Sequence, residues 1–133
     1  MSGLWEKLSK SIDYRHSYME TFLDSQIAIQ IQVLRRQRRM TQTELARALG
    51  TRQSAVSELE NVDHGSWTLS TLKKLARVFD VGLVVKFVPF RQMAADAETF
   101  SEDELRVPSF EEDGEDGSSL LRGCPVDFLA SCC

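Results

Sequence analysis

Arg52, Gln53, Ser54, Ser57 and Glu58 fall within seven residues of one another. On a helix with Val56 and Leu59 turned inward, a wheel brings these five to the outward side, with Ala55 nearer the edge. A guanidinium or a carboxamide offers two hydrogen-bonding atoms in one plane, which matches the edge of a base, and a hydroxyl can donate or accept. This face is short-chained, amide-rich and nearly free of large apolar groups. It suits hydrogen bonding to an external surface better than packing.

Catalytic and metal chemistry find less support. Cys124, Cys132 and Cys133 all lie in the last ten residues, away from any histidine. A structural zinc needs four converging ligands and a disulfide framework an even set, so free thiols are expected. His16 and His64 are single and far from thiols, which makes metal binding or general-base work improbable. No nucleophile, glycine-rich phosphate loop or carboxylate pair has supporting context, so neither an enzyme nor a cofactor is expected.

The outward residues need elements to hold them. Residues 13–39 read as helical, with Asp13 as N-cap and a stripe of Tyr14, Tyr18, Phe22, Ile27, Ile31 and Leu34 on one face. Whether Asp24-Ser25 divides this helix is left open by the pattern. It ends in Arg35-Arg36-Gln37-Arg38-Arg39, whose charges favour the negative end of the helix dipole and read mainly as a solvated last turn. Thr41-x-x-Glu44 has the spacing of a capping box and opens a short helix, Gln42 to Leu49. Gly50 stands where a left-handed turn residue is expected, and Thr51 is placed to cap a helix running to about Glu60. A loop follows, and Thr68 caps a helix from Leu69 to Phe79.

Gly82 to Phe90 changes character. Its β-branched and aromatic residues, Leu83, Val84, Val85, Lys86, Phe87 and Val88, read as a strand ended by Pro89. No second strand-like run exists in the sequence, so the expected partner is the same strand of another copy. Residues 1–93 carry 14 Lys/Arg against 9 Asp/Glu, whereas residues 94–133 carry 2 against 11. The tail from residue 94 is therefore expected to be solvated and disordered. Its short motifs Val107-Pro-Ser-Phe110 and Val126-Asp-Phe-Leu129 are of a kind that can fold onto a partner but is more often inert. Although the overall pI is about 5.2, an acidic total says little about a basic front, because exposed charges are screened beyond ~10 Å.

Thr41 to Asn61, TQTELARALGTRQSAVSELEN, closely resembles the helix-turn-helix of the lambda-repressor-like family, also called Cro/cI or XRE. The likeness lies in the Thr-Gln start, Leu-Ala, the glycine turn, Gln-Ser in the next helix and Ser-x-Leu-Glu-Asn at its end. It extends from about Ile27 through Val81. Val62-Asp63-His64 stand before Gly65, where the family often has glycine directly after the asparagine. The extra strand and N-terminal region look like phage-associated regulators and antitoxins.

The resemblance implies a mainly α-helical protein: a four- to five-helix bundle with one C-terminal strand paired across a dimer and a disordered acidic tail. The expected divisions are a partly helical N-terminal extension (1–24), a DNA-binding domain (25–81), a dimerisation strand (82–93) and the tail (94–133). Residue by residue, it makes Arg52, Gln53, Ser54, Ser57 and Glu58 base contacts in double-stranded DNA, and Gln42, Arg47, Thr51, Asn61, Ser66 and Thr68 phosphate contacts. Gln42 would also brace Gln53, and Glu58 is the least comfortable base contact, since it repels phosphate unless it accepts from a cytosine amino group. The implied function is a dimeric transcriptional repressor. The alternatives are an antitoxin that covers a toxin protein and regulates its own operon, and a protein-interaction module that binds no DNA. Trp67 reads as an anchor. No segment is long and apolar enough to span a membrane, and with no apolar secretory core near the start a cytoplasmic protein is expected.

Overall fold

The computed structural model describes residues 2–115. Seven α-helices follow one another: α1 (Ser2–Lys10), α2 (Ile12–Gln37), α3 (Gln42–Leu49), α4 (Gln53–Leu59), α5 (Leu69–Phe79), α6 (Phe90–Glu98) and α7 (Phe110–Glu115), with a 3-10 turn at Asp103–Leu105. The expectations for Cys124, Cys132, Cys133 and Val126–Leu129 lie outside the described residues. Among the described residues no helix is long and apolar enough to cross a membrane.

α2 is the element that both halves share. Its 26 residues span about 39 Å at 1.5 Å per residue, unbroken at Asp24-Ser25. Ser11 rather than Asp13 caps it, accepting from the Tyr14 N–H at 3.1 Å. The C-terminal half buries Ile31 and Leu34 against Leu45, Ala46, Val56, Leu75 and Phe79, which form the main core. Along the other half, Tyr18 and Phe22 pack on a second cluster of Leu8, Met93 and Ala94 from α1 and α6. Arg91 lies over the Trp5 ring at 4.5 Å and Arg15 over Phe90 at 5.7 Å, closing this cluster with cation–π contacts.

Three helices end alike. After α2, α3 and α5 a residue turns left-handed, Arg39 at φ 56, Gly50 at φ 72 and Asp80 at φ 55. The next N–H then reaches back to a last-turn carbonyl: Met40 to Arg35, Thr51 to Ala46 and Val81 to Ala76, at 2.9–3.0 Å. α2 therefore stops two residues earlier than the arginine run implies, because Arg39 supplies the turn.

Beyond Val81 one expectation is not met within a single chain, and another changes. No strand occurs among the described residues, and residues 81–89 run without helix, turn or bridge. Over residues 90–115 the chain is not a solvated tail. α6 buries Met93 and Ala94, the 3-10 turn buries Leu105, and Val107 packs on the main core. Gln30 Nε2 donates to the Leu105 carbonyl at 3.1 Å, the Val107 N–H to Gln37 Oε1 at 3.1 Å, and the Phe110 N–H to the Asp80 carbonyl at 3.0 Å. Acidic side chains stay outward while scattered apolar ones fasten this strap to α2 and the end of α5. Leu105→Ala is expected to lower stability by about 2 kcal/mol in urea unfolding, the lower end for a buried leucine, whereas a solvated tail would leave the midpoint unchanged.

Candidate nucleic-acid interface

α3 and α4 form the site, and the connection between them is short. Ala46, 3% exposed, lets the two helices approach, and Gly50 takes the left-handed conformation the turn requires. Thr51 does not cap α4 as expected: its N–H closes the end of α3, and Arg52 becomes the N-cap, without a side-chain bond. Val56 is fully buried and Leu59 packs partly buried against the core. These anchors fix the roll of α4.

At the start of α3 the Thr41 hydroxyl accepts from the Glu44 N–H, and Glu44 Oε1 accepts from the Thr41 N–H, both at 3.1 Å. The Thr41 N–H holds the Glu44 carboxylate below its ordinary value, helped by the Thr41 hydroxyl and least by the charge of Arg47, against an opposing cost of desolvation. This capping box sets the entry angle of α3, and with it the position of Gln42.

A chain of polar contacts then runs from the interior to the surface. Glu60, 6% exposed, pairs with Arg35 through two bonds, Nε to Oε2 at 2.6 Å and Nη2 to Oε1 at 3.1 Å. Arg35 Nη1 also donates to the Met40 carbonyl at 2.9 Å, and Gln32 Nε2 to the Glu60 carbonyl at 2.7 Å. Gln42 Nε2 donates to Glu60 Oε1 at 3.2 Å, while Gln42 Oε1 accepts from Gln53 Nε2 at 2.6 Å. The first residue of α4 is thus held by a side chain that is itself held by a buried ion pair.

Arg52, Gln53, Ser54, Ser57 and Glu58 are all exposed, as are Arg47, Thr51, Asn61, Ser66 and Thr68, whereas Gln42 is half-buried. Besides Gln42 and Gln53, Asn61 and Thr68 have structural side-chain bonds. Asn61 Oδ1 accepts from the Asp63 N–H at 3.0 Å, shaping the loop that lacks an immediate glycine, and Thr68 Oγ1 accepts from the Thr71 N–H at 3.2 Å to cap α5. Trp67 is an anchor: its Nε1 donates to the Leu59 carbonyl at 2.9 Å and its ring meets His64 edge-on.

The arginine run divides. Arg36 and Arg39 are exposed, but Arg35 turns inward to Glu60 and Arg38 donates from Nη2 to the Phe79 carbonyl at 3.0 Å, at the negative end of α5. Sequence reasoning missed Arg35 and Glu60. The signal was available, since the wheel that buries Val56 and Leu59 also carries Glu60 inward, and a buried carboxylate requires a cation.

Residues 31–85 match the family described as Helix-turn-helix. That segment is a lambda-repressor-like helix-turn-helix domain. Helix-turn-helix domains of this type belong to DNA-binding regulators. No curated protein and no solved structure matches the chain. Helices α1 and α6 and the strap lie wholly or mainly outside the matched residues, so the helix-turn-helix domain accounts for the main core and not for the second cluster. Among the described residues no group of three or more His, Cys, Asp or Glu is arranged to hold a metal ion.

Glu60→Gln keeps the size of the side chain but leaves the Arg35 guanidinium buried without a counter-charge. Removing one partner of a buried pair commonly costs 3–5 kcal/mol, so a loss of about 3 kcal/mol is expected in urea unfolding followed by tryptophan fluorescence. A loss below ~1 kcal/mol would show that the pair behaves as a surface one.

Proposed function

We propose that this protein is a sequence-specific transcriptional regulator that binds double-stranded DNA as a two-fold dimer, with α4 in the major groove, and represses by occupying its operator in the cytoplasm. The observation that carries this reading is the relay Arg35–Glu60–Gln42–Gln53. Gln53 spends one Nε2 hydrogen on Gln42. Its other Nε2 hydrogen and its Oε1 lone pairs are the donor and acceptor that match N7 and N6 of adenine. Held in one orientation before binding, the carboxamide loses little rotamer freedom on contact with a base. Ser54 and Ser57 add adaptable hydroxyls, Arg52 a guanine-reading guanidinium, and Glu58 an acceptor for a cytosine amino group.

Around these base readers stand the phosphate contacts. Gln42 keeps one Nε2 hydrogen, Arg47 and Thr51 flank the turn, and Asn61, Ser66 and Thr68 border the loop before α5. A basic front with these contacts gives an affinity that falls steeply with salt.

Dimerisation is supported by the segment after α5. Val84 is 79% exposed, Val85 71% and Phe87 106%, with Leu83 and Val88 also outward. Five large apolar side chains in six residues, in a stretch with no backbone pairing of its own, form an open edge that a second copy can complete as an antiparallel strand. A two-fold axis there would set two recognition helices about one DNA turn, ~34 Å, apart on a pseudo-palindromic site.

Binding of full-length protein to its own promoter fragment, with a random duplex as competitor, tests this reading and separates it from a protein-interaction module. Gln53→Ala is expected to lower the ratio of specific to random affinity by roughly tenfold, the value of one bidentate base contact, while Arg47→Ala weakens binding to both duplexes alike. Failure of the unmodified protein to shift either duplex at low salt would overturn the DNA-binding reading.

A further inference from the structure

We propose that the Phe87 ring of a second copy of this chain fills an apolar groove between α2 and α5. The groove is lined by Ile27, Leu72, Val81 and Leu83 among others, and its volume is about 120 Å³. That is the scale of cavity that accepts one aromatic ring, since an apolar void of about 150 Å³ takes up benzene. Phe87 is the matching ring: it is 106% exposed and makes no ring contact among the described residues.

Its own groove is out of reach for an extended chain. Phe87 lies four residues beyond Leu83, about 13 Å along a strand, and leads away from the site that Leu83 lines. A partner's ring is brought back by symmetry. The proposal rests on the strand-paired dimer proposed above and specifies its register. In an antiparallel pair, hydrogen-bonded and non-bonded residue pairs alternate, so a two-fold axis must pass where a residue faces its own copy. Centring on Lys86 would oppose two like charges directly, which disfavours it. Centring on Val85 places the second copy's Phe87 opposite Leu83, and centring on Val84 places it opposite Val81. Both facing residues line the groove, and residues 81, 83, 85 and 87 share one face of a strand. Either register therefore delivers the ring to the same place.

The test is an NMR experiment on the full chain, mixing molecules labelled at Ile, Leu and Val methyl groups in a deuterated background with molecules protonated only at phenylalanine. Intermolecular NOEs from the Phe87 ring to methyls of Ile27 and Leu72 are expected, disappearing in Phe87→Val. Sedimentation of Phe87→Ala is expected to show a dimer dissociation constant raised about ten- to a hundredfold per ring lost. A dimer without those NOEs, or with an unchanged dissociation constant in Phe87→Ala, overturns ring insertion and leaves strand pairing standing. A chain that stays monomeric at all concentrations overturns both.

Discussion

The buried Arg35–Glu60 ion pair constrains most of the helix-turn-helix domain. Taking two charges out of water costs several kcal/mol per ion, and the cost is met only where every remaining hydrogen-bonding position is used. Here Glu60 accepts from Arg35 twice and from Gln42 once, its own carbonyl accepts from Gln32, and Arg35 reaches the Met40 carbonyl. The pair therefore ties the end of α4 to α2, to the turn after α2 and to the start of α3. Apolar replacement of a buried ion pair is often neutral for stability, but here it would leave Gln42 without its second partner and Gln53 without a fixed support.

The other parts of the fold serve that arrangement by limiting where α3 and α4 can go. A capping box starts α3, a left-handed Gly50 ends it, and Val56 sets the rotation of α4. α2 carries this domain on one half and a separate apolar cluster on the other, so α1 and α6 add burial at the far half of α2. In this division the outward face of α4 stays short and polar, and the apolar clusters lie elsewhere.

Much of this was legible because it depends on near neighbours in the chain. Thr41 and Glu44, Gly50, and Thr68 act within four residues of themselves, and the periodic stripe of α5 needs no distant partner. Boundaries shifted where two candidates competed for one role: Ser11 against Asp13 at the start of α2, and Thr51, whose N–H was already committed to closing α3. The strap was hidden for a different reason. Phe90, Met93, Ala94 and Ala97 have helical spacing, but Leu105 and Val107 are isolated among acids, and only long-range partners such as Gln30 and Gln37 reveal what they do. Arg35 and Glu60 lie 25 residues apart and were obscured by the neighbouring arginines, which look alike in sequence and divide only when the helix is packed.

The central claim is that Gln53 reads sequence because Gln42 holds it. A double-mutant cycle on the ratio of specific to random duplex affinity, using Gln42→Ala, Gln53→Ala and the pair, tests this most directly. If the account holds, Gln42→Ala lowers the ratio on its own, and the double variant loses no more specificity than Gln53→Ala alone. Losses that add independently, or a Gln42→Ala variant with undiminished specificity, would contradict it.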